Sequence, residues 1–167
     1  MQPRIELSII DNEEHSHDEN CSHQPSQCFC HNVKWIWASV PGRPPSVHSG
    51  KWMLFPSNKN VDTVWTQVKS LLVANQLGYC AKVSPASRAK YLVCIYTQDH
   101  DDIADVFRVL KAIRSSGLSF GAIYYKTDEA TLRGEYSSTS KKPVWKFSSP
   151  AVISGGRLTL VSVRDIA

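Results

Sequence analysis

The chain is 167 residues long, 42% hydrophobic and 20% charged, with a formal net charge of +4. That is enough for one domain with a core that needs no disulfide staples. No apolar run approaches the ~20 residues of a membrane-crossing helix, and no apolar segment follows Met1-Gln2-Pro3-Arg4, so neither a membrane partner nor a secretory signal is expected.

Charge is unevenly spread. Residues 1–32 carry six acids against Arg4 alone, which leaves 18 of the 19 Lys and Arg to the remainder. The same stretch is polar and shows no helix or strand period. The expectation is a disordered acidic tail over 1–32 and a single domain over 33–167. A basic body suits an anionic partner such as RNA, or is ordinary solubilising charge. The tail also holds His15, His17, Cys21, His23, Cys28, Cys30 and His31. Structural zinc motifs separate paired ligands by about two to four residues. Here Cys28 follows Cys21 after a longer gap, Cys30 follows Cys28 after one residue, and His31 abuts Cys30. The expectation is therefore no metal site, only adventitious affinity. Five cysteines is an odd count, and Cys80 and Cys94 lie in apolar runs. Reduced thiols, and with them the cytoplasm or nucleus, are expected.

Trp35-Ile36-Trp37 opens the ordered part. The i, i+2 spacing puts both indoles on one face of a strand. With Lys34 and Arg43 they would stack on and neutralise a single-stranded nucleic acid; the alternative is that they plug one end of the core. A Pro/Gly-rich loop runs from Pro41 to Gly50. Lys51 to Phe55 is a short strand ended by Pro56. Val61, Val64, Trp65, Val68, Leu71 and Leu72 form one face of an amphipathic helix, with Gly78 as its stop. Tyr79 to Ser84 and Tyr91 to Thr97 are strands. The second is apolar on both faces and so central, and the short link favours an antiparallel pair. Asp99, Asp101 and Asp102 start a second helix with a buried stripe of Ile103, Val106, Phe107, Leu110 and Ile113, ended by Gly117. Its acids lie early and its bases Arg108, Lys111 and Arg114 late, which complements the helix dipole.

Phe120 to Lys126 is a fourth strand. The segment from Thr127 to Tyr136 has two readings. As a binding loop, Lys126 and Arg133 supply charge to a phosphate. As local structure, Thr127 or Asp128 caps one helical turn and Gly134 ends it. Pro143 to Phe147 and Leu158 to Val163 complete the strands, with a turn at Gly155-Gly156. The order strand, helix, strand, strand, helix, strand is the split βαβ pattern, an α+β fold. Both long helices pack on one face of an antiparallel sheet, and the other face is left open for a ligand.

The segments Gly50-Lys51-Trp52-Met53-Leu54-Phe55, Leu77-Gly78-Tyr79-Cys80-Ala81-Lys82-Val83-Ser84 and Tyr124-Tyr125-Lys126-Thr127-Asp128 occur in an order that resembles the basophilic-leukaemia-expressed protein family, over roughly Trp35 to Tyr136. The resemblance implies a fold similar to the cap-binding translation initiation factor, with a curved antiparallel sheet and helices on its convex side. It brings no settled activity. Cap binders sandwich a methylated guanine between two tryptophans, and no Trp pair here aligns with those motifs. Trp52 and Trp65 are assigned to the core.

Catalytic motifs are absent: no phosphate loop ending in Lys-Ser/Thr, no His-Glu-x-x-His, no nucleophile elbow. No catalytic residue and no cofactor is expected. The leading expectation is a monomeric, non-enzymatic module that binds RNA or a nucleotide on the open face. Its expected site is Trp35, Trp37, Lys82, Lys126, Thr127, Asp128, Arg133 and Tyr136. A protein-interaction module docking a partner on the helices comes second, and an enzyme last.

Overall fold

The computed structural model describes residues 21–30, 32–44, 46–86, 90–136, 144–152 and 161–162. A 3-10 turn at Pro25–Gln27 precedes β1 (Ile36–Ser39), β2 (Gly50–Leu54), α1 (Val61–Val73), β3 (Cys80–Val83), β4 (Val93–Thr97), α2 (Ile103–Ser115), β5 (Ile123–Thr127), the short α3 (Asp128–Leu132), β6 (Phe147–Ser149) and β7 (Val161–Ser162). Among the described residues these strands form one sheet in the order β1-β3-β4-β2-β5-β6-β7, and every neighbouring pair is antiparallel. This is the α+β architecture expected. The Gly155-Gly156 turn and the strand residues expected at 158–160 and 163 lie outside the described residues.

Alternation along the strands divides the side chains between two faces. Ile36, Ala38, Ala81, Val83, Ile95, Trp52, Leu54 and Tyr125 turn toward the helices, where they meet Trp65, Val68 and Leu72 of α1 and Val106, Leu110 and Ile113 of α2. Trp52 and Trp65 are buried there as expected, and the Trp52 indole N–H donates to the Val106 carbonyl at 3.1 Å.

The two helices start and stop for local reasons. Asp102 caps α2, its carboxylate accepting from the Asp105 N–H at 3.0 Å. Ile103, expected in the buried stripe, is 44% exposed, and Val109 is buried in the stripe instead. The helix begins at Ile103 itself, one residue after its cap, so its first turn overhangs the core. Arg114 does more than answer the helix dipole. Its buried guanidinium donates to the carbonyls of Ser119, Gly121, Ser149 and Pro150 and to the Ser149 hydroxyl. It thereby ties the end of α2 to β6 and to the loop before β5.

α1 stops before Gly78. Ala74 is its C-cap and Asn75 takes the left-handed conformation at φ 56°. Gly78 serves a different purpose: a Cβ there would lie 1.6 Å from the Tyr96 carbonyl oxygen. The backbone of the β3 lead-in passes so close to β4 that only hydrogen fits.

The boundary expected at residue 32 is also corrected. Cys21, Pro25 and Cys28 are buried. The Ser26 N–H donates to the Asp62 carboxylate at 2.9 Å, and the Ala86 N–H donates to the Cys28 carbonyl at 3.0 Å. Residues 21–30 are therefore part of the domain, docked on the first turn of α1 and the end of β3. A polar composition hid this, because the segment is held by backbone and thiol contacts and not by an apolar stripe.

Candidate functional site

The sheet face away from the two long helices carries two rows of side chains set by register. Trp37, Lys82, Cys94, Met53 and Tyr124 lie across β1, β3, β4, β2 and β5 in one row, and Ser39, Cys80, Tyr96, Lys51 and Lys126 in the next. Above them is a hollow of about 540 Å³. Trp35, Ser46 and Val47 wall it from the β1 and β2 lead-ins, and Asp128, Thr131, Leu132 and Tyr136 wall it from α3 and the residues after it.

Its aromatic part is ordered. Trp37 stacks on Tyr96 at 6.0 Å and 27°, and Tyr79 meets Tyr96 edge-on at 6.3 Å. The Lys82 ammonium sits 4.1 Å from the Trp35 ring centre and 5.0 Å from that of Trp37. These are cation–π distances. The Lys126 ammonium lies 4.3 Å from the Tyr136 ring centre and donates to the Glu135 carbonyl. Lys51 pairs with the Asp128 carboxylate and donates to the Thr131 hydroxyl at 3.0 Å. Asp128 also accepts from the Ser49 hydroxyl, and its N–H donates to the Ser49 carbonyl at 2.9 Å.

The charge balance of the hollow is unusual. Lys51 and Lys126 are direct cross-strand partners, only 5% and 4% exposed. Like charges directly opposite destabilise a sheet, and burying an ammonium costs more still. Against three lysines the lining offers, among the described residues, one carboxylate, Asp128. Burial pushes the Lys82 and Lys126 ammoniums below the ordinary lysine range, and Lys51 pushes both in the same direction. Burial drives the thiols the other way, Cys80 up to about 12 and Cys94 upward as well. Both stay protonated at neutral pH and neither is a thiolate nucleophile.

Of the site residues expected from sequence, Trp35, Trp37, Lys82, Lys126, Asp128 and Tyr136 line this hollow. Thr127 and Arg133 do not. Thr127 caps α3, its hydroxyl accepting from the Ala130 N–H at 3.1 Å. Gly134 follows the helix in the left-handed conformation at φ 68°. Arg133 is 58% exposed on its side chain and pairs with Glu129 at 3.3 Å and Glu135 at 3.2 Å. It lies one residue past the end of α3, so its i, i+4 partner on the helix holds it at the surface. Sequence reasoning missed Lys51, Tyr79, Tyr96 and Thr131. The signal for Lys51 was present: it alternates with Trp52, so a buried Trp52 places Lys51 on the opposite face.

The family model for basophilic leukemia-expressed protein Bles03 matches residues 42–132, more than half of the chain. Among solved structures the fold is similar to a schistosome eIF4E complexed with m7GpppA and 4E-BP. That match has a TM-score of 0.61 at 14% identity and covers 76% of this chain and 75% of that one. The same factor with m7GpppG and 4E-BP gives 0.60 at 13% identity over the same shares. The C. elegans eIF4E-3 complex with the 4E-binding protein Mextli and a cap analog gives 0.52 at 15% identity, covering 59% of this chain and 65% of that one. At these identities the likeness is one of fold. By the family model, the chain belongs to the family of basophilic leukemia-expressed protein Bles03.

Proposed function

We propose that the protein binds a nucleotide or a short stretch of RNA in the hollow of the open sheet face. The observation that carries this reading is the pairing of indole and phenol rings with three lysines, Lys51 and Lys126 buried and Lys82 partly buried, and, among the described residues, a single carboxylate. A base has a π-face to offer Trp35 or Trp37. Its phosphates offer the negative charge that the Lys51–Lys126 pair and Lys82 lack. The volume falls in the range of about 300–1,000 Å³ typical of small-ligand sites. The solved eIF4E structures of this fold carry cap dinucleotides or a cap analog in their complexes, which supports a nucleotide as the class to try first.

Lys82 already rests on Trp35. A base entering the hollow therefore displaces an ammonium from an indole face and meets that ammonium again as a phosphate partner. The test is titration of the purified chain with guanosine triphosphate, a cap dinucleotide and a short oligoribonucleotide, followed by tryptophan fluorescence at several salt concentrations. Binding that weakens with salt is expected for a phosphate-led site. Absence of binding to all three, or binding indifferent to salt, refutes the reading.

A second reading rests on the opposite side. Phe55 and Phe120 are both more than half exposed and flank a groove of about 390 Å³ whose walls include Pro56, Val64 and Leu118. Exposed aromatics flanking a groove that also offers Ser57, Asn60, Thr63 and Gln67 for hydrogen bonds suit a protein segment. Two of the solved relatives are complexes with 4E-BP and one with Mextli. The two readings use different faces, so a Phe120→Ser variant that loses a protein partner while keeping nucleotide binding separates them.

A further inference from the structure

The segment ahead of β1 contains a site that the binding hollow does not use. Within residues 21–30 the fold converges three thiols. Cys21, Cys28 and Cys30 have sulfur atoms all within 4.8 Å of one another, and the Cys21 and Cys30 sulfurs are 3.6 Å apart. None of the three is in a disulfide. His23 brings its Nδ1 to 2.9 Å from the Cys21 sulfur.

We propose that Cys21, Cys28 and Cys30 bind a structural zinc ion, with His23, whose ring already touches the Cys21 sulfur, turning in as the fourth ligand. Tetrahedral zinc with sulfur at about 2.3 Å places neighbouring sulfurs about 3.8 Å apart, close to the Cys21–Cys30 separation. The linear spacing fails the rule for paired zinc ligands, but that rule describes knuckles built on tight turns. Here the 3-10 turn at Pro25–Gln27 reverses the chain between Cys21 and Cys28 and does the same work.

What the segment buries points the same way. Its aromatic residue, Phe29, is 66% exposed, whereas Cys28 is fully buried and Cys21 nearly so. Apolar anchoring would turn Phe29 inward; instead the thiols face one another. Binding converts three thiols to thiolates, their protons go to solvent, and three S–Zn bonds and one N–Zn bond form. The His23–Cys21 hydrogen bond is replaced by two bonds to the shared ion.

The position gives such an ion a structural task. Cys28 is joined to Ala86 at the end of β3, Ser26 to Asp62 in the first turn of α1, and the Cys30 carbonyl accepts from the Val33 N–H at 3.3 Å, just before Trp35. The ion would brace the chain that leads into β1 and the indole wall of the hollow.

The test uses the full chain purified under reducing conditions. Elemental analysis after a weak chelator wash is expected to return about one zinc per chain, consistent with a closed structural site. Replacement by Co2+ is expected to give thiolate-to-metal charge-transfer bands and intense tetrahedral d–d bands. A Co2+ ion held at the exposed Asp99–His100–Asp101 group would lack the sulfur bands. Cys30→Ser, at a half-buried position, should lose stoichiometric zinc, and His23→Ala should keep the sulfur bands while altering the d–d spectrum. Zinc well below one equivalent, weak octahedral Co2+ spectra, or an intact mass showing a Cys21–Cys30 disulfide in the reduced preparation would each overturn the proposal, whether or not any variant folds.

Discussion

Lys82→Met isolates the charge of one hollow lysine while keeping its stem. The native ammonium rests over Trp35 and Trp37, on the ring face a stacking base would take, and would move aside to meet its phosphate. Two unit charges 4 Å apart interact by about 1 kcal/mol in bulk water and about 4 kcal/mol at an effective dielectric of 20. Lys82 is only partly buried, so a value near the lower end, about 1–2 kcal/mol, is expected, or a roughly 5- to 30-fold loss of affinity. The slope of log affinity against log salt should fall by about one, as for removal of any single phosphate contact. The pH profile gives a second readout. Burial pulls the Lys82 ammonium below the ordinary lysine range. Charge, and with it anion binding, is present below that lowered value and is lost as pH rises through it, earlier than for a solvated lysine. In Lys82→Met that early alkaline loss should shrink. Fluorescence titration at several salt concentrations and pH values measures all three. Arg133→Met, outside the hollow, is the matched control and should leave affinity unchanged. Equal losses in the two variants would mean only overall charge matters; no loss in either would remove the hollow as a phosphate site.

Asp128→Asn should act in opposite directions on stability and on affinity. Lys51, 6% exposed on its side chain, loses its carboxylate. Thermal melting should report a loss of about 1–3 kcal/mol, less than for a fully buried pair because Asp128 is partly exposed. Anion affinity should rise, and saturating nucleotide should restore part of the melting temperature; an unchanged or weaker affinity contradicts the charge balance described for the hollow. Gly78→Ala forces a methyl group into the Tyr96 carbonyl. Denaturant unfolding should show a loss of about 1–3 kcal/mol, and a neutral result would mean that β3 and β4 are not held at that approach.

The architecture was legible because its signals are local. The α1 stripe from Val61 to Leu72 and the acidic start of α2 at Asp102 are written in three- and four-residue spacings, and β4 in an unbroken apolar run. The open face followed from counting helices against strands. The hollow was legible only in part. Trp35 and Trp37 share a face by parity alone, whatever their partners. Lys51 and Tyr96 become neighbours only through the β2–β4 register, which no local pattern encodes. Lys126 and Arg133 look alike in sequence, yet one is a strand residue pointing into the hollow and the other follows a helix that turns it outward. The thiols of residues 21–30 were read by spacing, and spacing does not report a chain reversal.

The strand order has a kinetic consequence. β2 is the second strand made, yet it stays without partners until β4 and β5 exist, since its Gly50 pairs with Thr97 on one side and Thr127 on the other. The β3–β4 hairpin closes locally and so can form early, while the two pairings of β2 close long loops and come late. Lys51 and Lys126 face each other only in the last of these steps. During synthesis a nascent chain that has emerged only as far as α2 would therefore hold a finished hairpin, an unpaired edge on β2 and no assembled lysine pair, and it is at this stage that intermolecular strand pairing would compete with folding.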